Sequence, residues 1–306
     1  MHYLQSPAWA AFHTALGNKT FIRSGEGWHY LAILDSESSR ITRLYCPYGP
    51  QAEDEHSLGV ALESLMALAR SQGVMFARVQ PLGTPVTERT IRRHGLVKVD
   101  YSQPSLTWQL DLSPSTDELV AAMKQNNRSI YRNYTKKGMS YRRSTNPRDI
   151  PTLMKLLRSV EEHNGITFHS DDYFTTQFAT LLEQNAGSLH FIDYEGSPIA
   201  AAFVYEGPST NYYAYAAATY EHRKLNAPTA LLAEIIFDAK RQGKQLFDFY
   251  GITDSTDSSH RWAGFTRFKK SFGGHQQFLS YTYDMPVKTL QYKSYQIARK
   301  LRSLQR

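Results

Sequence analysis

Of 306 residues only one is a cysteine, Cys46. A lone thiol cannot build a disulfide framework, so a reducing compartment is expected and stability must come from packed cores. No apolar run approaches the roughly 20 residues that a membrane helix needs. The opening MHYLQSPAWAAF has neither a basic nor an apolar leader segment, so no signal peptide is expected and a soluble or peripheral cytoplasmic protein is. Glycine-rich phosphate loops of the GxxxxGK[ST] and GxGxxG types are missing, as is a GxSxG elbow. The 11 histidines are scattered and no HExxH or paired-cysteine spacing occurs, so no metal or other cofactor is expected.

What is present suits a globular enzyme: 41% hydrophobic and 21% charged residues, in a chain long enough for two cored domains. The 20 tyrosines suit pockets in which a ring is buried and its hydroxyl stays bonded. A net charge of +7 favours an anionic partner such as nucleic acid, lipid head groups or a phosphorylated substrate. Two segments hold the excess. Between positions 121 and 143 lie seven basic residues and no acidic one, with Lys124, Arg128, Arg132 and Lys136 at every fourth position. That spacing predicts one stripe on a helix, either a solvated face or a contact for something anionic. Positions 287–306 carry six basic residues, no acid, and an apolar line of Leu290, Ile297, Leu301 and Leu304. Such a helix packs on its domain or rests on an anionic membrane.

Periodicity predicts helices over 7–16, 55–71 and 86–93, with strands over 28–34, 41–45, 74–79, 96–100 and 106–112. The order then recurs: helices over 150–163, 173–183 and 228–241, and strands over 189–193, 199–205, 211–217 and 246–250. One α/β unit is used twice, with no low-complexity linker between the halves.

The stretch 246–274, LFDFYGITDSTDSSHRWAGFTRFKKSFGG, draws the eye. An aromatic strand end containing Asp248 leads through a polar loop to a short helix over 262–271, stopped by Gly273 and Gly274. Lys269 and Lys270 lie in its last turn, where cations suit a helix C-terminus and also suit an anionic or ester substrate. The doubled order suggests the GNAT acyltransferase fold. An acetyl-CoA user of that fold has a glycine-rich turn before the long second-half helix, whose free N–H groups hold pyrophosphate. Here the turn reads Arg223-Lys224-Leu225-Asn226-Ala227-Pro228, and its proline lacks the donor, so coenzyme A is not expected.

With these residues in view the sequence resembles the Fem family (FemABX), peptidyltransferases that add bridge amino acids to peptidoglycan precursors from aminoacyl-tRNA. The resemblance is carried by Gln5-Ser6 with Trp9-Ala10, Tyr45 with Gly49-Pro50, and Arg128, Ile130, Arg132, Lys136 and Gly138. It continues through His163-Asn164-Gly165-Ile166, Tyr173-Phe174, Tyr212-Tyr213-Ala214-Tyr215, Asp248-Phe249-Tyr250-Gly251, and Phe268-Lys269 with Phe272-Gly273. It implies an α/β (α+β) fold of two tandem GNAT-like domains, with mixed, mostly antiparallel sheets flanked by helices. The first would span 1–103 plus a returning helix at 285–306, and the second 104–284, without the helical-hairpin insertion of some relatives.

The resemblance also implies roles. Lys269 would lie beside the aminoacyl ester, with Asp248 the nearest carboxylate for acid–base work. Tyr173, Tyr213, Tyr215, His169 and Tyr250 would line the acceptor side. Phe268, Lys270, Arg267, Arg128, Arg132 and Lys136 would meet the aminoacyl-tRNA. The implied partners are aminoacyl-tRNA and a lipid-linked or UDP-linked muropeptide. A peripheral contact with anionic membrane is in keeping with them, and a monomer is expected. Three family positions depart: Arg78-Val79-Gln80-Pro81 has glutamine for a carboxylate, His169 stands where some relatives have arginine, and Ala11 and His13 replace a lysine. Two other readings stay open, a GNAT-type N-acyltransferase on another amine and a non-catalytic protein that binds RNA or a membrane surface.

Overall fold

The computed structural model describes residues 1–38, 41–100, 102–164 and 169–304; Gly165 and Ile166 of the family pattern lie outside them. In chain order the elements are α1 (Pro7–Ala15), β1 (Thr20–Gly25), β2 (Trp28–Ser38), β3 (Ile41–Cys46), β4 (Gln51–Ala52), α2 (Glu55–Ser71), β5 (Phe76–Val79), α3 (Glu88–His94) and β6 (Val97–Val99). Next come β7 (Leu106–Asp111), α4 (Thr116–Ala122), α5 (Gln125–Asn133), β8 (Met139–Ser144), α6 (Ile150–Asn164), α7 (Asp171–Glu183), β9 (Gly187–Tyr194), β10 (Ser197–Glu206) and β11 (Thr210–Ala218). The chain closes with α8 (Ala227–Arg241), β12 (Leu246–Gly251), α9 (Ala263–Lys270), β13 (His275–Phe278), β14 (Thr282–Pro286) and α10 (Thr289–Leu304). Two compact units result: Met1–Ser105 with Leu279–Arg306, and Leu106–Phe278.

In the first unit the strands run β1-β2-β3-β5-β14-β6, with β4 on β2. Ser6 and Asp54 start α1 and α2 by accepting the backbone N–H groups of Trp9 and Ser57. α2 buries the expected stripe of Leu58, Leu62, Leu65, Leu68 and Ala69, and Gly95 at φ 60° ends α3. The last strand and helix are bound in by charge as well as by apolar contact. Arg78 on β5 pairs with Asp284 on β14 through two bonds of 2.7 and 2.9 Å, and Tyr292 on α10 donates to the same carboxylate. Gln80, in the family's carboxylate position, is fully buried and donates to the Gln103 carbonyl.

The second unit orders its strands β13-β7-β12-β11-β10-β9-β8. One face of this sheet carries α8, whose Leu231, Leu232, Ile235 and Ile236 share a core with Val204, Phe247, Phe249 and Phe272. On the other face Phe178 of α7 stacks on Phe203 of β10 with 4.4 Å between centroids.

The expected single basic helix does not form. α5 ends at Asn133, a 3-10 turn spans Thr135–Lys137, and Gly138 at φ 81° turns the chain into β8. Pairing with β9 over Met139↔Tyr194 to Ser144↔Leu189 outcompetes helix continuation. Lys124 stands at the residue before α5 with no side-chain capping bond, and Lys136 sits in the turn, so only Arg128 and Arg132 share the helix. On β8, Arg142 pairs with Asp193 and Asp149, and Arg143 with Glu206 and Asp238.

Candidate active site

β11 and β12 are parallel neighbours, but they pair only from Thr210↔Leu246 to Tyr212↔Asp248. Beyond that point the two strands part, and each carries an irregularity there. Between Phe203↔Tyr215 and Val204↔Tyr213 the register slips by one residue, so Ala214 is bulged. β12 slips against β7 between Asp248 and Gly251, and Tyr250 adopts φ 67°. A bulky residue in the left-handed region costs about 1–3 kcal/mol and persists only where its surroundings hold it.

What holds it is a set of polar bonds. Asp248, 2% exposed, accepts from the Tyr250 N–H at 2.6 Å, the Gln109 amide at 2.9 Å and the Thr107 hydroxyl. Lys269, projected back from α9, donates to the Gly251 carbonyl at 2.6 Å. Its stem keeps partial exposure while its ammonium is enclosed. That enclosure lowers its pKa from 10.5 to about 8, against the opposing field of Asp248. Burial pushes Asp248 upward, and its three donors and Lys269 pull it back.

α9 itself is seated from behind. Asn127 of α5 donates to Ser271, and the Trp108 indole donates to the Gly273 carbonyl at 2.6 Å. A Cβ on Gly274, at φ 90°, would strike the Gln109 carbonyl, so only glycine fits there. Phe268 packs against the α8 core and lines a cavity of about 450 Å³. The cavity's other walls include His163, Tyr220, His222, Arg223 and the first turn of α8. In that turn the Asn226 N–H bonds the Arg223 carbonyl, the Thr229 N–H bonds that of Asn226, and Pro228 has none.

The bulge at Ala214 separates two tyrosines that the pattern pairs. Tyr213 joins Val204, Ala216 and Ala218 against the α8 core. Tyr215 falls on the opposite face, edge-on to Phe174 at 4.9 Å. There it lies within hydrogen-bonding reach of Tyr205, whose hydroxyl also feels Tyr173 and Tyr250 and donates to Gln177. Burial holds the Tyr205, Tyr213 and Tyr215 hydroxyls above their usual pKa, so each is a neutral donor and acceptor at pH 7. His169 stacks on Tyr173 at 4.0 Å, and partial burial lowers its pKa.

The basic residues divide. Arg128 folds back on the Ala121 and Met123 carbonyls at 2.6 and 2.8 Å, closing the end of α4. Lys270 lies over the Trp108 ring at 5.1 Å. Arg132, Lys136 and Arg267 are exposed. Sequence reasoning missed Tyr205, Gln177, Thr107 and Gln109. Gln177 had a readable signal, a polar residue on the otherwise apolar α7 face of Phe174, Phe178 and Leu181. Among the described residues no group of three or more His, Cys, Asp or Glu side chains is placed to hold a metal ion.

Residues 183–300, which contain β12, α9 and Lys269, match the FemAB family model. The match to the FemAB family is confined to that part of the chain. Over 107 residues the chain is 29% identical to the lipid II:glycine glycyltransferase of Staphylococcus epidermidis, an alignment covering 35% of the chain and 25% of that relative. It thus spans about a quarter of the length of the curated relative it matches. Among solved structures, FemX superposes with a TM-score of 0.82 at 17% identity, over 95% of this chain and 93% of that one. The L-PGS structure from Bacillus licheniformis gives 0.61 at 14%, over 90% and 86%. A tandem GNAT protein from the clavulanic acid pathway gives 0.50 at 15%, over 87% and 83%. At these identities the likeness is one of fold, and the chain has the expected architecture of two GNAT-like domains with sheets flanked by helices.

Proposed function

We propose that this protein transfers an amino acid from aminoacyl-tRNA to an amine on the stem peptide of a peptidoglycan precursor. The observation that carries the reading is the enclosed ammonium of Lys269 at the parting of β11 and β12, beside Asp248 and within a FemAB-matching segment. The Staphylococcus relative's name, a glycyltransferase acting on lipid II, supports the acceptor class.

In the reaction the acceptor amine attacks the ester carbonyl, forming the C–N bond. The C–O bond breaks, and the freed ribose hydroxyl takes the proton that the amine loses. An aminoacyl ester is already activated, so alignment supplies much of the acceleration, about 7 kcal/mol or more in well-oriented systems. Lys269 stabilises the developing oxyanion, worth on the order of 3 kcal/mol for one such donor. Asp248, with three donors already on it, is a positioning carboxylate whose field keeps Lys269 protonated. Tyr173, Tyr205, Tyr215 and Tyr250, with His169 stacked alongside, offer hydroxyls to the acceptor peptide. The cavity beside Phe268 takes the terminal nucleotide of the donor, with Arg223 toward its phosphate, and Lys270, Arg267, Arg132 and Lys136 supply positive charge.

Single-turnover transfer from a panel of charged tRNAs onto lipid-linked and UDP-linked precursors tests this directly, with labelled acetyl-CoA as the competing donor. Transfer from a charged tRNA is expected. Transfer from acetyl-CoA alone would replace this reading with the N-acyltransferase one, and binding without turnover would replace it with a docking role.

A further inference from the structure

α10 is held to the first unit along one side only. Tyr292 is 2% exposed and bonded to Asp284, and Tyr295 stacks on Phe76 at 5.5 Å. With 3.6 residues per turn, the opposite side carries Leu290, Ile297 and Leu301. These are 82%, 64% and 58% exposed, so the apolar line faces outward and does not pack on the domain. Lys293 and Lys300 border the line and are exposed, and the segment 287–306 contains no acidic residue.

We infer that this face of α10 docks the protein on an anionic lipid bilayer. A helix with an apolar stripe bordered by lysines lies in the head-group plane, where acyl chains cover the stripe and anionic head groups meet the lysines. The alternatives fit less well. A second copy seated on the same face would bring like charges together. RNA would meet the lysines and leave three large apolar side chains without a partner. No helix among the described residues is long and apolar enough to cross a membrane, so the attachment is interfacial. Docking goes beyond the transfer reading and stands on α10 alone.

The test uses the full chain and vesicles free of donor and acceptor, so its outcome is independent of whether transfer occurs. Sedimentation with vesicles of equal phosphatidylglycerol and phosphatidylcholine is compared with phosphatidylcholine alone, at low salt. The wild type is expected to bind the anionic vesicles at least tenfold more tightly. The triple variant Leu290→Ser, Ile297→Ser, Leu301→Ser should lose at least tenfold, and Lys293→Gln with Lys300→Gln about fivefold per lysine on anionic vesicles only. Leu290→Ser alone, checked by thermal melting, guards against a folding defect and should still weaken binding. Equal binding by wild type and triple variant, or equal binding to both vesicle types, overturns the inference. So does a dimer in sedimentation equilibrium that the triple variant dissolves without any vesicle binding.

Discussion

Replacing Lys269 by Met separates its chemical role from its structural one. The change keeps an unbranched side chain and removes the ammonium. A drop in pKa from 10.5 to about 8 means that keeping the ammonium charged inside the fold costs about 3 kcal/mol at neutral pH. Removing it recovers that cost and forfeits the bond to the Gly251 carbonyl, a charge-assisted contact worth about 1.5–3 kcal/mol. The two nearly cancel. Stability of the variant at pH 7, read from urea melts, should therefore lie within about 1–2 kcal/mol of wild type. Single-turnover transfer should fall about 100-fold or more, the equivalent of ~3 kcal/mol of oxyanion stabilisation. The pH dependence supplies a second reading. Because the folded-state pKa is the lower one, the unfolded chain binds more protons between pH 8 and 10.5, so this group adds stability as pH rises through that window. Below pH 8 the full cost is present. Lys269→Met lacks that gain, so wild type should improve relative to the variant by up to ~3 kcal/mol between pH 8 and 10.5. A variant that loses several kcal/mol at pH 7, or that transfers normally, refutes the assignment and makes Lys269 a strut for the end of β12.

Asp248→Asn removes the field that opposes Lys269 deprotonation, so the alkaline limb of transfer, near pH 8 in wild type, should move to lower pH; an unmoved limb would unlink the two residues. Tyr215→Phe and Tyr173→Phe should raise KM for the acceptor several-fold, whereas Tyr213→Phe, on the α8 face, should leave it near wild type. Steady-state kinetics with acceptor varied would settle which face is used. Arg132→Gln with Lys136→Gln should reduce the salt dependence of tRNA binding measured by filter retention. Arg128→Gln should instead lower the melting temperature, because its guanidinium closes the end of α4.

Much of the molecule could be read without coordinates. The helix over 55–71 and the strand beginning at 246 follow from side-chain period alone, since each buries one stripe or one face whatever it packs against. The pairing of Phe268 with Lys269 beside a glycine stop is likewise local, so Lys269 can be named as a candidate without coordinates. Three features were not. The basic segment breaks after Asn133 because β8 gains a partner in β9, some fifty residues away. Tyr213 and Tyr215 lie on opposite faces because one extra residue in β11 against β10 shifts the register, and a two-residue alternation cannot register such a slip. The outward face of α10 was settled by where Tyr292 found Asp284, across a sheet whose strand order no local pattern encodes. Residue period is a property of neighbours in the chain, and it therefore determined which elements exist. Burial, register and the acidity of Lys269 belong to neighbours in space, and only the tertiary structure could decide them.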